Sequence, residues 1–225
     1  MLKSKSIMMS IDKKTQFSCN KKDWLKGLDF SNWTRYYFLI KDSILFDRNN
    51  ILEIGGGSGL VWNCLEPLVS NYTTLDINDK LSPEIIADVC ENVPKLQDKF
   101  DCIIAADILE HIPFNTVEPA VKNLYSYLER GGYALITIPH RRSNFMYMTP
   151  HNIPKFYSVP TGFLSLGGFY RRFIKRKIWI DPCHRWEIGD GNIKVKDVNK
   201  VFLDCGFKIE KFKEIYYVDY WVLKK

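Results

Sequence analysis

Residues 51–60, Ile-Leu-Glu-Ile-Gly-Gly-Gly-Ser-Gly-Leu, carry an apolar, strand-like run straight into a glycine-rich turn, and about twenty residues later Asp76 closes a second such run in Thr74-Leu-Asp-Ile-Asn78. Glycines at 55, 57 and 59 let the backbone turn tightly, approach a ligand closely and pack the next helix on the strand. An acid ending the second strand can accept from both hydroxyls of a ribose. The pairing predicts a nucleotide cofactor.

The details of the loop narrow the choice of nucleotide. A dinucleotide fingerprint reads G-x-G-x-x-G, whereas Gly55 to Gly59 gives G-x-G-x-G with Glu53 just upstream. A pyrophosphate resting on the helix N-terminus would be repelled by that carboxylate, and a ligand carrying an ammonium and a sulfonium would not. Each feature also has a plainer reading. The glycines fit any tight strand-to-helix turn, Asp76 fits a turn acid before Asn78, and Asp88 fits a helix cap. The order and spacing of all the segments together favour the cofactor.

Glu53 to Gly59 resembles the first motif of class I S-adenosylmethionine-dependent methyltransferases, in their small-molecule, type 11/23-like branch. The resemblance covers residues 51–139 motif by motif and the C-terminal end by layout. It implies cofactor contacts from Glu53, Gly55, Gly57 and Gly59, with Asp76 and the adjoining Ile77 at the ribose. Ile85-Ile-Ala-Asp88-Val89 looks like the third-strand motif, which gives Asp88 the adenine amino group and Val89 a ring nitrogen. Phe100 to Pro113 is similar to the fourth strand and its loop, ending in Leu-Glu-His, so Asp107 and His111 would line the methionine end. Leu128 to Pro139 looks like the fifth element. The implied fold is α/β, a Rossmann-like, doubly wound, mostly parallel seven-stranded sheet whose last strand runs antiparallel.

The element pattern agrees with that layout. Helical spacing of Trp33, Tyr36, Tyr37, Ile40, Ile44 and Leu45 predicts an amphipathic helix over 31–46, which in the family lies over the cofactor. Strands are predicted near 50–55, 72–76, 85–88, 100–106 and 132–138, with helices near 58–70 and 116–129. Residues 196–205 read as a helix stopped by Gly206, and 207–212 and 216–223 as a closing hairpin. The chain is read as one domain: a helical cover at 1–48, a cofactor core at 49–139, a substrate cap at 140–191, and a helix and hairpin at 192–225. The cap assignment rests on its extra length, about fifty residues where a minimal methyltransferase passes quickly to the last helix.

Six cysteines without CxxC spacing, three of them inside apolar runs, predict a reducing, cytoplasmic setting. The same lack of Cys/His ligand spacing predicts no metal. The N-terminal apolar patch is too short for a signal segment, and no run approaches a membrane-spanning length. Residues 51–139 hold 5 basic and 13 acidic side chains, while the flanks are basic, with 10 against 5 before and 17 against 8 after. That asymmetry suits an anionic partner beside an acidic cofactor core.

Methyl transfer from a sulfonium mainly requires nucleophile, methyl and sulfur to be held in line in a dry pocket. A hydroxyl acceptor needs a base, and His140, at the end of the fifth strand, is the chosen one. Arg141 and Arg142 suit a phosphate or carboxylate on the acceptor, with solvent-facing charge as the plainer reading for one of them. His184 and Trp186, in Pro182-Cys-His-Arg-Trp-Glu187, are predicted substrate contacts, as are Tyr36 and Tyr37 closing the pocket; Arg35 is assigned to the cofactor carboxylate. The expected function is methylation of oxygen, or nitrogen, on a small anionic metabolite such as a sugar or phosphorylated precursor of a surface polysaccharide. The aromatic and basic run at 169–180 also admits RNA, or a membrane surface with a lipid or quinone acceptor. An inactive, methyltransferase-like partner subunit is the non-enzymatic alternative.

Overall fold

The computed structural model describes residues 20–151, 154–160, 165–176, 180–189 and 193–225. The N-terminal patch, Cys19 and residues 177–179 of the aromatic and basic run lie outside the described residues. Two helices come first, α1 (Lys21–Lys26) and α2 (Phe30–Leu45), each started by an Asx cap: Asn20 accepts from the amide of Asp23 and Asp29 from that of Asn32.

The sheet follows the predicted order. Strands β1 (Asn50–Ile54), β2 (Asn71–Asp76), β3 (Ile85–Ile86), β4 (Phe100–Ala106) and β5 (Leu128–Pro139) are parallel to their neighbours, with α3 (Leu60–Leu65) and α4 (Glu118–Tyr127) as crossovers. Residues 58–70, read as one helix, form α3 and then a 3₁₀ turn at Glu66–Leu68. Pro67 has no amide to continue the α-helical pattern.

Parallel strands buried on both faces favour apolar residues on both sides, and β1 and β4 supply them, with Glu53 a buried exception. In β1, Leu52 and Ile54 join one core cluster while Ile51 joins the other; in β4, Ile103 and Ala105 oppose Cys102 and Ile104. Cys64, read as a small core hydrophobe, instead sits exposed on α3.

The long section after β5 is less irregular than its composition suggests. β6 (Arg142–Met148) and β7 (Pro154–Pro160) form a separate antiparallel hairpin, followed by the short α5 (Leu166–Phe169) and one π turn at Tyr170–Ile174. Phe156 ties the hairpin to the main body through edge-on contacts with Phe38 and Tyr216. α6 (Val195–Asp204) then leads, past Gly206 at φ +100°, into the hairpin of β8 (Lys208–Ile215) and β9 (Val218–Lys224). β9 inserts between β5 and β8, antiparallel to both, giving the order β3-β2-β1-β4-β5-β9-β8. This is the seven-stranded arrangement expected. The strand order reverses between β1 and β4, where open α/β sheets form their ligand crevice.

Candidate active site

A cavity of about 680 Å³ opens at that crevice, within the roughly 300–1,000 Å³ usual for small-molecule sites. Its floor is made by the carboxyl ends of four strands. Glu53 to Gly57 follow β1, Asp76 to Asn78 end β2, Ala106 to Ile108 end β4, and Pro139 to Arg142 follow β5. Asp29, Asn32, Arg35 and Tyr36 cover it from the α2 side, so that helix does lie over the crevice.

The glycine loop is cut to fit closely. Gly55 has φ +71°, and a Cβ there would lie 1.9 Å from Ile108 Cδ1. Gly57 is also left-handed, φ +45°, beneath Trp24. Gly59, at φ +72°, caps α3 and borders only a small neighbouring hollow rather than the main cavity. Beside the loop, Glu53 is buried and accepts from the Tyr72 hydroxyl at 3.0 Å. Burial pushes its carboxyl up to about 7, and burial raises Asp76 too. Two carboxylates that ionise reluctantly border one crevice and suit a cationic ligand.

Asp76 and Asp88 both act as turn acids and both line the cavity, and no helix directly follows Asp88 for it to cap. Asp76 Oδ1 takes the amide of Asn78 at 2.8 Å and Asp88 Oδ1 takes that of Cys90 at 2.8 Å, as turn acids do, yet both residues line the cavity. Ile77 and Val89 line it beside them.

Asp107 is a hub at the end of β4. It holds φ +54°, accepts from Thr137 Oγ1 at 2.6 Å and from Tyr217 at 3.1 Å, and forms an ion pair with Arg35. Arg35 also donates to Tyr36 Oη at 2.9 Å. The guanidinium assigned to the cofactor carboxylate is therefore already paired with Asp107.

His140 lies on the cavity wall with its imidazole mostly buried. Its Nε2 is 2.7 Å from the carbonyl of Tyr216. A carbonyl only accepts, so Nε2 carries the proton and Nδ1 the lone pair. Nδ1 has no hydrogen-bond partner, and burial, with Arg142 nearby, brings the imidazole down to about 4.

A second polar group borders the same cavity. His111 Nδ1 faces the carbonyl of Cys183 at 3.0 Å, and His184 Nδ1 faces Glu187 Oε1 at 2.8 Å. The two rings stand 5.1 Å apart, and each Nε2 lies 3.9 Å from Glu110 Oε1. Glu110 is wholly buried, neither of its oxygens has a hydrogen-bond partner among the described residues, and burial raises its carboxyl to about 8.

Three acceptor assignments need correction. Trp186 is core: its indole N–H goes to the carbonyl of Ile112 at 2.8 Å and its ring packs edge-on against Phe114, because the residue alternates inward between exposed Arg185 and the cavity residue Glu187. Tyr37 points to solvent, bonded to Lys41, one step round the helix from Tyr36. Arg142 borders the cavity, but its guanidinium neutralises the fully buried Asp219, at 2.9 Å, and pairs with Glu214, so it is neither solvent-facing nor open to an acceptor anion. Arg141 keeps its place on the cavity wall, 3.9 Å from Glu187. Sequence reasoning passed over Glu110, although it stands inside Leu109-Glu-His111, and took Glu187 only as the carboxylate of a segment expected to touch substrate.

The family model described as "Methyltransferase domain" matches residues 32–184. The chain belongs to this methyltransferase-domain family. No curated protein matches it in sequence. Among solved structures, the N-methyltransferase NodS from Bradyrhizobium japonicum, in complex with S-adenosylhomocysteine, is similar over 95% of this chain and 96% of its own, with 13% identity and a TM-score of 0.62. An S-adenosylmethionine-dependent methyltransferase from Clostridium acetobutylicum is similar over 89% and 93%, at 13% identity and TM-score 0.56. The 1,6-didemethyltoxoflavin-N1-methyltransferase from Burkholderia thailandensis covers 91% and 86%, at 9% identity and TM-score 0.55. The methyltransferase domain thus carries its family's fold, and among the described residues no helix is long and apolar enough to cross a membrane.

Proposed function

We propose that this methyltransferase uses S-adenosylmethionine to methylate an oxygen of a small acceptor that carries an anionic group. The observation that carries the reading is the convergence on one cavity of the left-handed glycines, Glu53, Asp76 and Asp88 with a histidine and an arginine from beyond β5. Cofactor and acceptor then share a single cavity.

The cofactor is S-adenosylmethionine, and the residues fit it. The glycine loop, Gly55 to Gly57, lines the cavity with Gly55 and Gly57 in the left-handed conformation and Ile108 packing where a Gly55 Cβ would stand, so main chain can face the ligand. Glu53 is a buried acid suited to a positively charged group, and Asp76 is a strand-end acid suited to a ribose. When bound, the cofactor supplies an electrophilic methyl group on a positively charged sulfur.

The chain's own residues then have three tasks. Tyr36 and the α2 cover, together with the wall from Pro139 to Arg142, exclude water. Arg141 meets the anionic group of the acceptor. His140, neutral at pH 7 with its lone pair on a buried Nδ1, takes the acceptor's hydroxyl proton as the oxygen–methyl bond forms and the sulfur–methyl bond breaks, which requires the seated acceptor to uncover that nitrogen. A nitrogen acceptor, arriving deprotonated, would not need His140. A sugar or a phosphorylated precursor of a surface polysaccharide meets the acceptor requirements.

Calorimetric titration with S-adenosylmethionine and S-adenosylhomocysteine, with NAD as control, tests the cofactor, and mass spectrometry of acceptor panels tests the transfer. Micromolar binding of the sulfur ligands alone supports the reading. Binding of NAD in their place overturns it.

A further inference from the structure

We infer that Glu110, His111 and His184 form a binding site for one divalent transition-metal cation on the wall of the cavity. Their ligand atoms, one from each residue, all lie within 4.8 Å of one another. Three features distinguish this group from a chance cluster.

The first is the tautomer of each imidazole. The carbonyl of Cys183 can only accept, so His111 Nδ1 donates to it and the lone pair is left on Nε2. Glu187 Oε1, held in turn by the amide of Asp181 at 3.0 Å, does the same for His184. Both Nε2 atoms then present lone pairs toward one carboxylate oxygen, 3.9 Å away in each case. A carboxylate or carbonyl fixing the far nitrogen of a ligating histidine is the usual outer support of a metal site.

The second is Glu110 itself. Among the described residues neither oxygen of this fully buried carboxyl has a hydrogen-bond partner, and both imidazole nitrogens stand 3.9 Å off, too far to supply one, so the group is costly as it stands. A dication between the three groups satisfies all of them at once. Drawing the carboxylate and each imidazole, now 3.9 Å apart, onto an ion at about 2.0–2.2 Å requires those two pairs to close by ~0.5 Å, with the two imidazole nitrogens starting within 4.8 Å of each other.

The third is access. His111 and His184 line the cavity while Glu110 sits behind them, so an ion held by all three keeps its remaining positions toward the acceptor space. Two imidazoles and one carboxylate favour Mn²⁺ through Zn²⁺ over Mg²⁺ or Ca²⁺, which prefer all-oxygen shells. Resting on the oxygen-methylation reading above, the ion would bind the acceptor's hydroxyl and lower its pKa, easing the proton's passage to His140. No spacing motif announces this site, because its ligands come from positions 110, 111 and 184.

The test uses the full chain, stripped with a chelator, dialysed and titrated with Co²⁺. Visible absorption reports the coordination and calorimetry the stoichiometry. The expected result is one Co²⁺ per chain, with at least a tenfold loss of affinity in Glu110→Gln and in His184→Ala. Glu187→Gln, which only orients His184, should weaken binding 10–100-fold while leaving the ligand-field bands of the saturated site unchanged. S-adenosylhomocysteine affinity, measured on the same samples, should hold in the metal-site variants and so report their folding separately. Failure to bind Co²⁺, or binding unchanged in both Glu110→Gln and His184→Ala while S-adenosylhomocysteine still binds, overturns the site. Loss of S-adenosylhomocysteine binding in wild type with Co²⁺ binding intact would overturn the cofactor reading instead and leave the site standing.

Discussion

Arg35, on α2, and Asp107, one residue past β4, form an ion pair across 72 positions of sequence, with both side chains nearly closed off from solvent. The pair fastens the covering helix to the reversal point of the sheet. Removing one partner leaves a charge in a place built for two. Arg35→Ala should therefore cost about 3 kcal/mol of stability, read by urea denaturation, and weaken S-adenosylhomocysteine as the cover loosens. A loss below about 1 kcal/mol would mean that water already reaches the pair.

Glu53 gives a pH signature. Its carboxyl is raised by burial from 4.5 to about 7, so its contribution to stability is complete below pH 4.5 and disappears as pH rises through 7. Asp219, raised from 3.8 to about 7, acts in the same direction. His111 and His140, lowered from 6.5 to about 4, act oppositely: their contribution is complete above pH 6.5 and disappears as pH falls through 4. Comparison with Glu53→Gln isolates the first effect. Relative to that variant, wild type should lose up to about 3 kcal/mol between pH 5 and pH 8 without ligand. A cationic cofactor should draw the proton off, so calorimetry near pH 6.5 in buffers of different ionisation enthalpy should register proton release that Glu53→Gln lacks.

Gly55→Ala meets two obstacles, a left-handed φ and the side chain of Ile108. It should lower S-adenosylhomocysteine affinity at least tenfold. Adding Ile108→Ala removes the collision but not the strain, so affinity should return only in part. Asp76→Ala should abolish tight cofactor binding without a comparable collision, and retained affinity there would displace Asp76 from the ribose.

The neighbouring arginines should behave differently. Arg141→Ala should leave melting temperature and cofactor affinity near wild type while raising the KM for an anionic acceptor. Arg142→Ala strands Asp219, which has no exposed surface, and should cost about 3 kcal/mol. Parallel thermal melts would separate the two.

The sheet was legible because its signals are local. Leu52 and Ile54 alternate with Ile51 within one strand, and Gly55 to Gly59 lie within one turn. The acids singled out from sequence were legible for the same reason, since Glu53 lies near the end of β1, Asp76 ends β2, and Asp88 and Asp107 follow β3 and β4 closely, and all four line one cavity. The acceptor half of that cavity was not legible. Whether Arg142 faces an acceptor or Asp219 depends on a strand 77 residues away, and whether Trp186 stacks on a sugar or on Phe114 depends on a packing partner that sequence spacing does not encode. Glu110 went unassigned because its significance lies in what it lacks, a hydrogen-bond partner, which only the surrounding structure reveals.

Residues 181–188 are stitched to the core at several points. Arg185 donates its amide to Glu110, Trp186 its indole to Ile112, and Ile188 exchanges backbone bonds with Pro139 and Arg141. The β6–β7 hairpin, by contrast, is held at its base by the Arg142 ion pairs and beyond it by Phe156 and the Ser158–Glu214 contact. The hairpin lends only Arg142 and Asn144 to the cavity, and no described residue between Met148 and Asp181 reaches it. The cavity is thus framed by segments fastened to the sheet, and the outer part of the appended hairpin can vary in sequence without touching its walls.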